Sequence, residues 1–413
     1  MLSGGREDAF SDDIDWLDVG SGAPGGDTPP RRPWPRWFTA VVVLAAVALV
    51  LTVLNRERGA QSSARLSAAP TTSAPTPTPK PTPTRTASET FTSPTPTTVT
   101  ILPTASVTRL GRPLLGVTAG WELIGYSNDV LVRIELAAGR ITRTPIPSLP
   151  DGGPVSLLVG ANRVRIQPFG NVPGYLVPDG KAFRELPLLE QDGLVLPGPA
   201  ADQMWLGSGD GSHPVMTLAT LDGGKLAGSI PMPPELSTYD ATADGAGGLL
   251  FSSVGGVYAA GPDGLRRIST GALAAVGPTG WLVTECDDRY RCQTVLIGRA
   301  DGSRRIINSA ISIRGPRGVI SPDGATAAVM NIDSNGATVL QLLDLASGSR
   351  RVLKVSPEQG YYDVSVVFSP DSRWVFTVAA GGSLAVINRQ TGAVGSLGVD
   401  LPAFSQIALR PAR

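Results

Sequence analysis

Cys286 and Cys292 flank the five residues DDRYR inside WLVTECDDRYRCQTVLIG. The two apolar runs read as neighbouring antiparallel strands, and opposite positions on such a hairpin come close enough for a disulfide. The expected chemistry is a structural bond formed in an oxidising compartment; a reactive dithiol is the alternative. The one histidine, His213 in GDGSHPVM, stands among turn formers beside a proline and reads as a surface loop residue. Two cysteines and one histidine leave no multi-cysteine zinc site and a single imidazole for acid–base work. GDG at 209–211 and NIDSNG at 331–336 lack the alternating oxygen ligands and closing Glu of a calcium loop. GAGG at 245–248 has no Lys-Ser/Thr to make a phosphate loop, and no Gly-x-Ser-x-Gly elbow occurs. No catalytic, cofactor-binding or metal-binding residue is therefore assigned, and no cofactor is expected.

The elements that hold these residues are turn-rich. Among 413 residues there are 49 Gly and 37 Pro, the residues turns need for positive φ and for a preset φ. Many short strands follow from that. The 35 basic and 35 acidic side chains cancel, which argues against a nucleic-acid partner.

Three segments precede the strands. Residues 1–36 set Glu7, Asp8, Asp12, Asp13, Asp15, Asp18 and Asp27 among glycines and prolines, and read as a disordered acidic tail. Inside it DDIDWLDV resembles short helical docking motifs; a solvated tail with a stray tryptophan is the plainer reading. Residues 37–54, WFTAVVVLAAVALVLTVL, carry no charge and as a helix would span about 27 Å, enough for one membrane crossing. Trp34 and Trp37 would stand at the headgroups, with Arg31, Arg32 and Arg36 before the span and Arg56 and Arg58 after it. A cleaved signal peptide is the rival. Residues 55–106 read as a stalk: from 70 to 100, 24 of 31 residues are Pro, Thr or Ser, a composition that favours extended polyproline II. Such stalks hold domains away from membranes outside the cell. The expected placement is a single-pass cell-membrane protein, N-terminus cytoplasmic and residues 107–413 extracytoplasmic.

Within 107–413 one turn recurs. Small or acidic residues precede Gly139, Gly180, Gly223, Gly264, Gly302, Gly348 and Gly392, with gaps of 41, 43, 41, 38, 46 and 44 residues. That period matches a four-stranded propeller blade of about 40–45 residues, each marked Gly lying in the hairpin between a blade's last two strands. SPDG, with Asp323 and Gly324, and SPDS, with Asp371, fall where a blade's first two strands join. The expected fold is all-β, a seven-bladed β-propeller, with six or eight blades as alternatives. Ile407–Leu409 in FSQIALRPAR are expected to supply the innermost strand of the first blade, so that the chain's ends share one sheet.

VISPDGATAAV and VFSPDSRWVFT, with VLQLLDLASGSRRVL and LAVINRQTGAVGSL, resemble the WD-like repeat of TolB-type β-propellers, without the His-Gly or Trp-Asp signature of the WD family. That resemblance implies a propeller that recognises partners. The pairs in GLRRI, GSRRI and GSRRV place arginines on outermost strands, where charge deters edge-to-edge association; a basic rim for anionic wall polymers is the sharper reading. The expected function is a membrane-tethered binding or scaffold module of the cell envelope, or a sensor, whose partner is an envelope protein or wall polymer. The alternative is a propeller enzyme of the quinone-dependent dehydrogenase or lyase type, with its site in the central channel.

Overall fold

Short apolar strands broken by turns leave an apolar face on each small sheet, and stacking the sheets face to face buries both faces. The computed structural model describes residues 104–410 apart from 150–153, 171, 189–193, 209–213, 234, 262–263, 308–317, 333–336 and 359–364. These residues lie in one compact unit and form β-strands with one short 3-10 turn, Thr238–Asp240. The tail of residues 1–36, the apolar segment 37–54 and nearly all of the stalk lie outside them. No helix among the described residues is long and apolar enough to cross a membrane.

Five sheets stand as single blades. One joins Glu122–Ser127, Val130–Glu135 and Arg140–Pro145 to Gln406–Arg410 on its inner side and to Ser106–Arg109 on its outer side. This closing sheet pairs Leu123 with Leu409 and Gly125 with Ile407, so the last strand of the chain is the innermost strand of the first blade. Three four-stranded blades follow at 155–185, 195–231 and 241–269, and another lies at 366–395. Residues 272–352 form one eight-stranded sheet whose halves, 272–307 and 318–352, are joined by the parallel pair Val276 and Val319. The expectation of seven separate blades is thus corrected to five single blades and a double sheet. The reason is local: a Cβ on Gly277 would lie 2.5 Å from the Cβ of Ile320, so this glycine lets two inner strands approach within pairing distance. Ser106–Arg109 was also unforeseen, a fully exposed fifth strand that begins at the last residue assigned to the stalk.

The inner strands make a ring of neighbours. Gln406–Arg410 touches Val155–Val159, which touches Val195–Pro197, which touches Ala241–Ala243; Ala272–Val276 packs on Leu249–Ser253 and leads through Gly318–Ile320 and Val366–Phe368 back to Gln406–Arg410. An apolar seam fills each space between neighbours. Ile124, Tyr126 and Leu131 of the closing sheet meet Val164, Ile166 and Val177; Trp121 and Leu123, on its other face, meet Trp374 and Phe376, whose ring lies edge-on to Trp121 at 5.8 Å. Within the double sheet Leu282 and Ala275 meet Ile320 and Leu343. Side chains alternate faces along a strand, so each strand feeds two seams. With about 1.5–3 kcal/mol per fully buried large aliphatic side chain, these seams are the main favourable term holding blade to blade.

Candidate functional site

Each marked glycine has φ between +55° and +102°: Gly180, Gly223, Gly302, Gly348 and Gly392 lie between the last two strands of their sheet or half-sheet, Gly139 lies between Val130–Glu135 and Arg140–Pro145 of the five-stranded sheet, and Gly264 opens the last strand of its blade, Gly264–Ser269. SPDG and SPDS occupy the turns between first and second strands. In the first, the Ser321 hydroxyl donates to Asp323 at 2.6 Å and accepts from the N–H of Thr326 at 3.0 Å, while Asp323 accepts from the N–H of Ala325 at 3.1 Å. In the second, Ser369, Asp371, Trp374 and Arg373 repeat that arrangement, and Ser372 takes the place of Gly324 at φ +59°. GAGG at 245–248 is a third such turn: Asp244 accepts from the N–H groups of Ala246 and Gly248, both at 2.8 Å. Its acidic residue lies before the glycines and no Ser-Pro precedes it, so the written pattern differs from SPDG.

A disulfide joins Cys286 to Cys292, directly opposite each other on the hairpin of Gly280–Cys286 and Cys292–Gly298. That hairpin turns at the end of its blade opposite the Ser-Pro-Asp turns. Asp287 holds the loop, accepting from the N–H groups of Arg289 and Arg291 and pairing with the Arg291 side chain. Tyr290 stands at its tip, 90% exposed. His213 and GDG at 209–211 lie outside the described residues, as do 333–336 of NIDSNG. Among the described residues no three His, Cys, Asp or Glu side chains come together as a metal site would require.

Sequence reasoning missed what the charged side chains do. On the end of the blades that carries the Ser-Pro-Asp turns, arginines cross the seams. Arg410, 2% exposed, and Arg133 lie 2.6 and 3.0 Å from Asp179 in the turn of the next blade, and 3.4 and 3.0 Å from Glu122 on their own. Arg165 donates to the carbonyl of Leu221 at 2.8 Å, and burial pulls its guanidinium down to about 10, still charged at neutral pH. Arg299 pairs with Asp244, donates to the carbonyl of Pro278, and lies over the ring of Trp281 at 5.0 Å. Members of two of the three arginine pairs also bond to a neighbouring blade. Arg304 donates to the Ile268 carbonyl and pairs with Glu285 at 2.6 Å, while Arg351 donates to the Gln390 carbonyl at 2.8 Å. They lie on outermost strands as expected, but charge at a free edge is only part of their role.

One seam opens into a cleft. Between the 318–352 half-sheet and the 366–395 blade is a cavity of about 520 Å³, lined by Thr326, Asp344, Ser349, Arg350, Arg351 and Arg389 among others. Arg389 reaches across it to Asp323 at 2.6 Å, and the N–H of Asp323 donates to Ser372, so the two Ser-Pro-Asp turns are bonded to each other. Burial works to raise the Asp323 carboxyl, but the Ser321 hydroxyl, the Ala325 N–H and Arg389 outweigh it and hold the group below the ordinary range. Gly392 makes room for Arg351: a Cβ there would meet its Cδ at 2.4 Å.

No family model matches the sequence, and no curated protein matches it. Among solved structures, TolB from Acinetobacter baumannii is 14% identical over 72% of this chain and 68% of that one, with a TM-score of 0.43. An oligogalacturonate lyase in complex with manganese is 11% identical over 68% and 91%, at 0.45. A protein from Lactobacillus plantarum is 13% identical over 71% and 99%, at 0.47. The propeller assignment rests instead on the strand order, the ring of inner strands and the closing sheet.

Proposed function

We propose that the chain is a binding or scaffold module of the cell envelope, a β-propeller held outside the membrane by the helix of residues 37–54 and the stalk of residues 55–106. The observation that carries it is the use of the charged residues. Three carboxylates at the seams, Asp179, Asp244 and Asp323, are already paired with arginines of a neighbouring blade, Arg410, Arg299 and Arg389. The oxygens of a carboxylate at hydrogen-bond distance from a guanidinium are committed to that partner rather than to a substrate. Such groups make the ring rigid, and a rigid ring presents its loops and clefts at fixed spacing, as recognition requires.

The partner is an envelope protein or a wall polymer. Cross-linking in native membranes followed by affinity purification tests this reading. A specific partner retained by the full-length chain and lost when residues 104–413 are removed supports it. Turnover of a quinone-dependent or lyase substrate by the purified chain would overturn it in favour of a propeller enzyme.

A further inference from the structure

We propose that the cleft between the 318–352 half-sheet and the 366–395 blade binds a phosphate ester of a small polyol. This deepens the binding reading and rests on it. The volume, about 520 Å³, falls in the range of small-molecule sites, about 300–1,000 Å³. At about 30 Å³ per water it equals about 17 waters, far more than a bare oxyanion fills.

The lining sets the chemistry. Arg350 and Arg351 enter from one strand, Arg350–Val352, and Arg389 enters from the hairpin turn after Leu384–Asn388, on the other side of the seam. A guanidinium is a planar fork that matches a pair of phosphate oxygens, and the terminal oxygens of a phosphate monoester can meet more than one fork at once. Three arginines, Arg350, Arg351 and Arg389, line the cleft with one carboxylate, Asp344, and Asp323 pairs with Arg389 beside it. A monoester carries close to two negative charges at neutral pH. The forks are also pre-positioned. The Gln390 carbonyl accepts from Arg351 at 2.8 Å, and Asp323 holds Arg389.

The rest of the lining suits hydroxyl groups rather than a second anion. Asp344 is kept ionised by the N–H and hydroxyl of Ser347, and it lines the same cavity as the hydroxyls of Ser349 and Thr326 and the amide of Gln390. A carboxylate, two hydroxyls and an amide accept from and donate to a polyol while Asp344 would repel a further phosphate.

The test is calorimetric titration of the purified full-length chain at low ionic strength with glycerol 3-phosphate and, separately, inorganic phosphate. Saturable one-to-one binding, tighter for the ester, is expected. Arg350→Gln should weaken it about tenfold, the effect of losing one charge-assisted hydrogen bond. Arg350→Lys, which keeps the charge and loses the fork, should fall between. Arg266→Gln, at an exposed arginine on the outer strand of another blade, should change nothing. Arg350 is exposed on a short edge strand, and an unchanged circular dichroism spectrum shows that its variants fold. Absence of saturable binding, or equal weakening by Arg266→Gln, overturns the site. Equal affinity for inorganic phosphate overturns the polyol half of the proposal. Release of inorganic phosphate from the bound ester would keep the site and overturn the non-catalytic reading of the protein, so the two failures are distinguishable.

Discussion

The guanidinium of Arg410 lies 2.6 Å from the carboxylate of Asp179, 231 residues earlier in the chain. One belongs to the last strand, the other to a turn in the second blade, and Arg133 and Glu122 complete a cluster of two positive and two negative charges. The cluster fastens the closing sheet to its neighbour at the position where the ring is completed by the chain's end.

Arg410→Met is expected to destabilise the domain by about 3 kcal/mol, because it leaves Glu122 and Asp179 facing Arg133 alone in a largely dry site. Chemical denaturation of the variant checks this. A midpoint equal to that of the parent would mean that the cluster contributes nothing net.

Removing residues 405–413 takes away the whole strand Gln406–Arg410 and leaves the inner edge of Glu122–Ser127 unpaired. The truncated chain is expected to melt well below the full chain and to aggregate on heating. Removing residues 1–30 is expected to leave the melting temperature unchanged. Thermal melts followed by light scattering distinguish the two.

The bond between Cys286 and Cys292 closes a loop with a sequence separation of 6. Loop-closure entropy for so short a loop is worth about 2 kcal/mol. Replacing both cysteines with alanine should lower stability by that amount, and adding reductant should then have no further effect. Alkylation of the parent protein without reductant, read by intact mass, should find no free thiol.

Tyr126 is 2% exposed, and its hydroxyl has no hydrogen-bond partner among the described residues. Burial, with Tyr175 and Asp129 nearby, pushes its ionisation up to about 12. A raised folded value means that the neutral form is favoured by folding. This contribution is complete below about pH 10, the ordinary tyrosine value, and is lost as pH rises toward 12. Tyr126→Phe should therefore stabilise by about 1 kcal/mol at neutral pH, since an unmet buried hydroxyl is removed, and should flatten the alkaline arm of the stability profile. Denaturation midpoints of both proteins from pH 7 to 11 decide it.

The turn glycines were legible because positive φ is a one-residue requirement that a Cβ opposes, and Gly139, Gly180 and Gly348 answer it wherever they fall. The Ser-Pro-Asp turns were legible for a similar reason: Ser321, Asp323 and Thr326 bond to one another within six residues. Ser372 shows the limit, a residue that adopts a glycine's backbone and weakens the written pattern. The cysteine pair was readable from two apolar runs and a short turn.

The sequence by itself determined the strand spacing, the turn chemistry, and the return of Ile407–Leu409 to the first blade, because each rests on local backbone preference or on a strand that lacked a partner. Only the tertiary structure decided that Val276 and Val319 fuse two blades into one sheet, that Arg410 meets Asp179, and that Arg350, Arg351 and Arg389 share a cleft. Those relationships join residues separated by tens to hundreds of positions. Their energies depend on distance and desolvation in the packed ring, and neither quantity is carried by residue type or spacing along the chain.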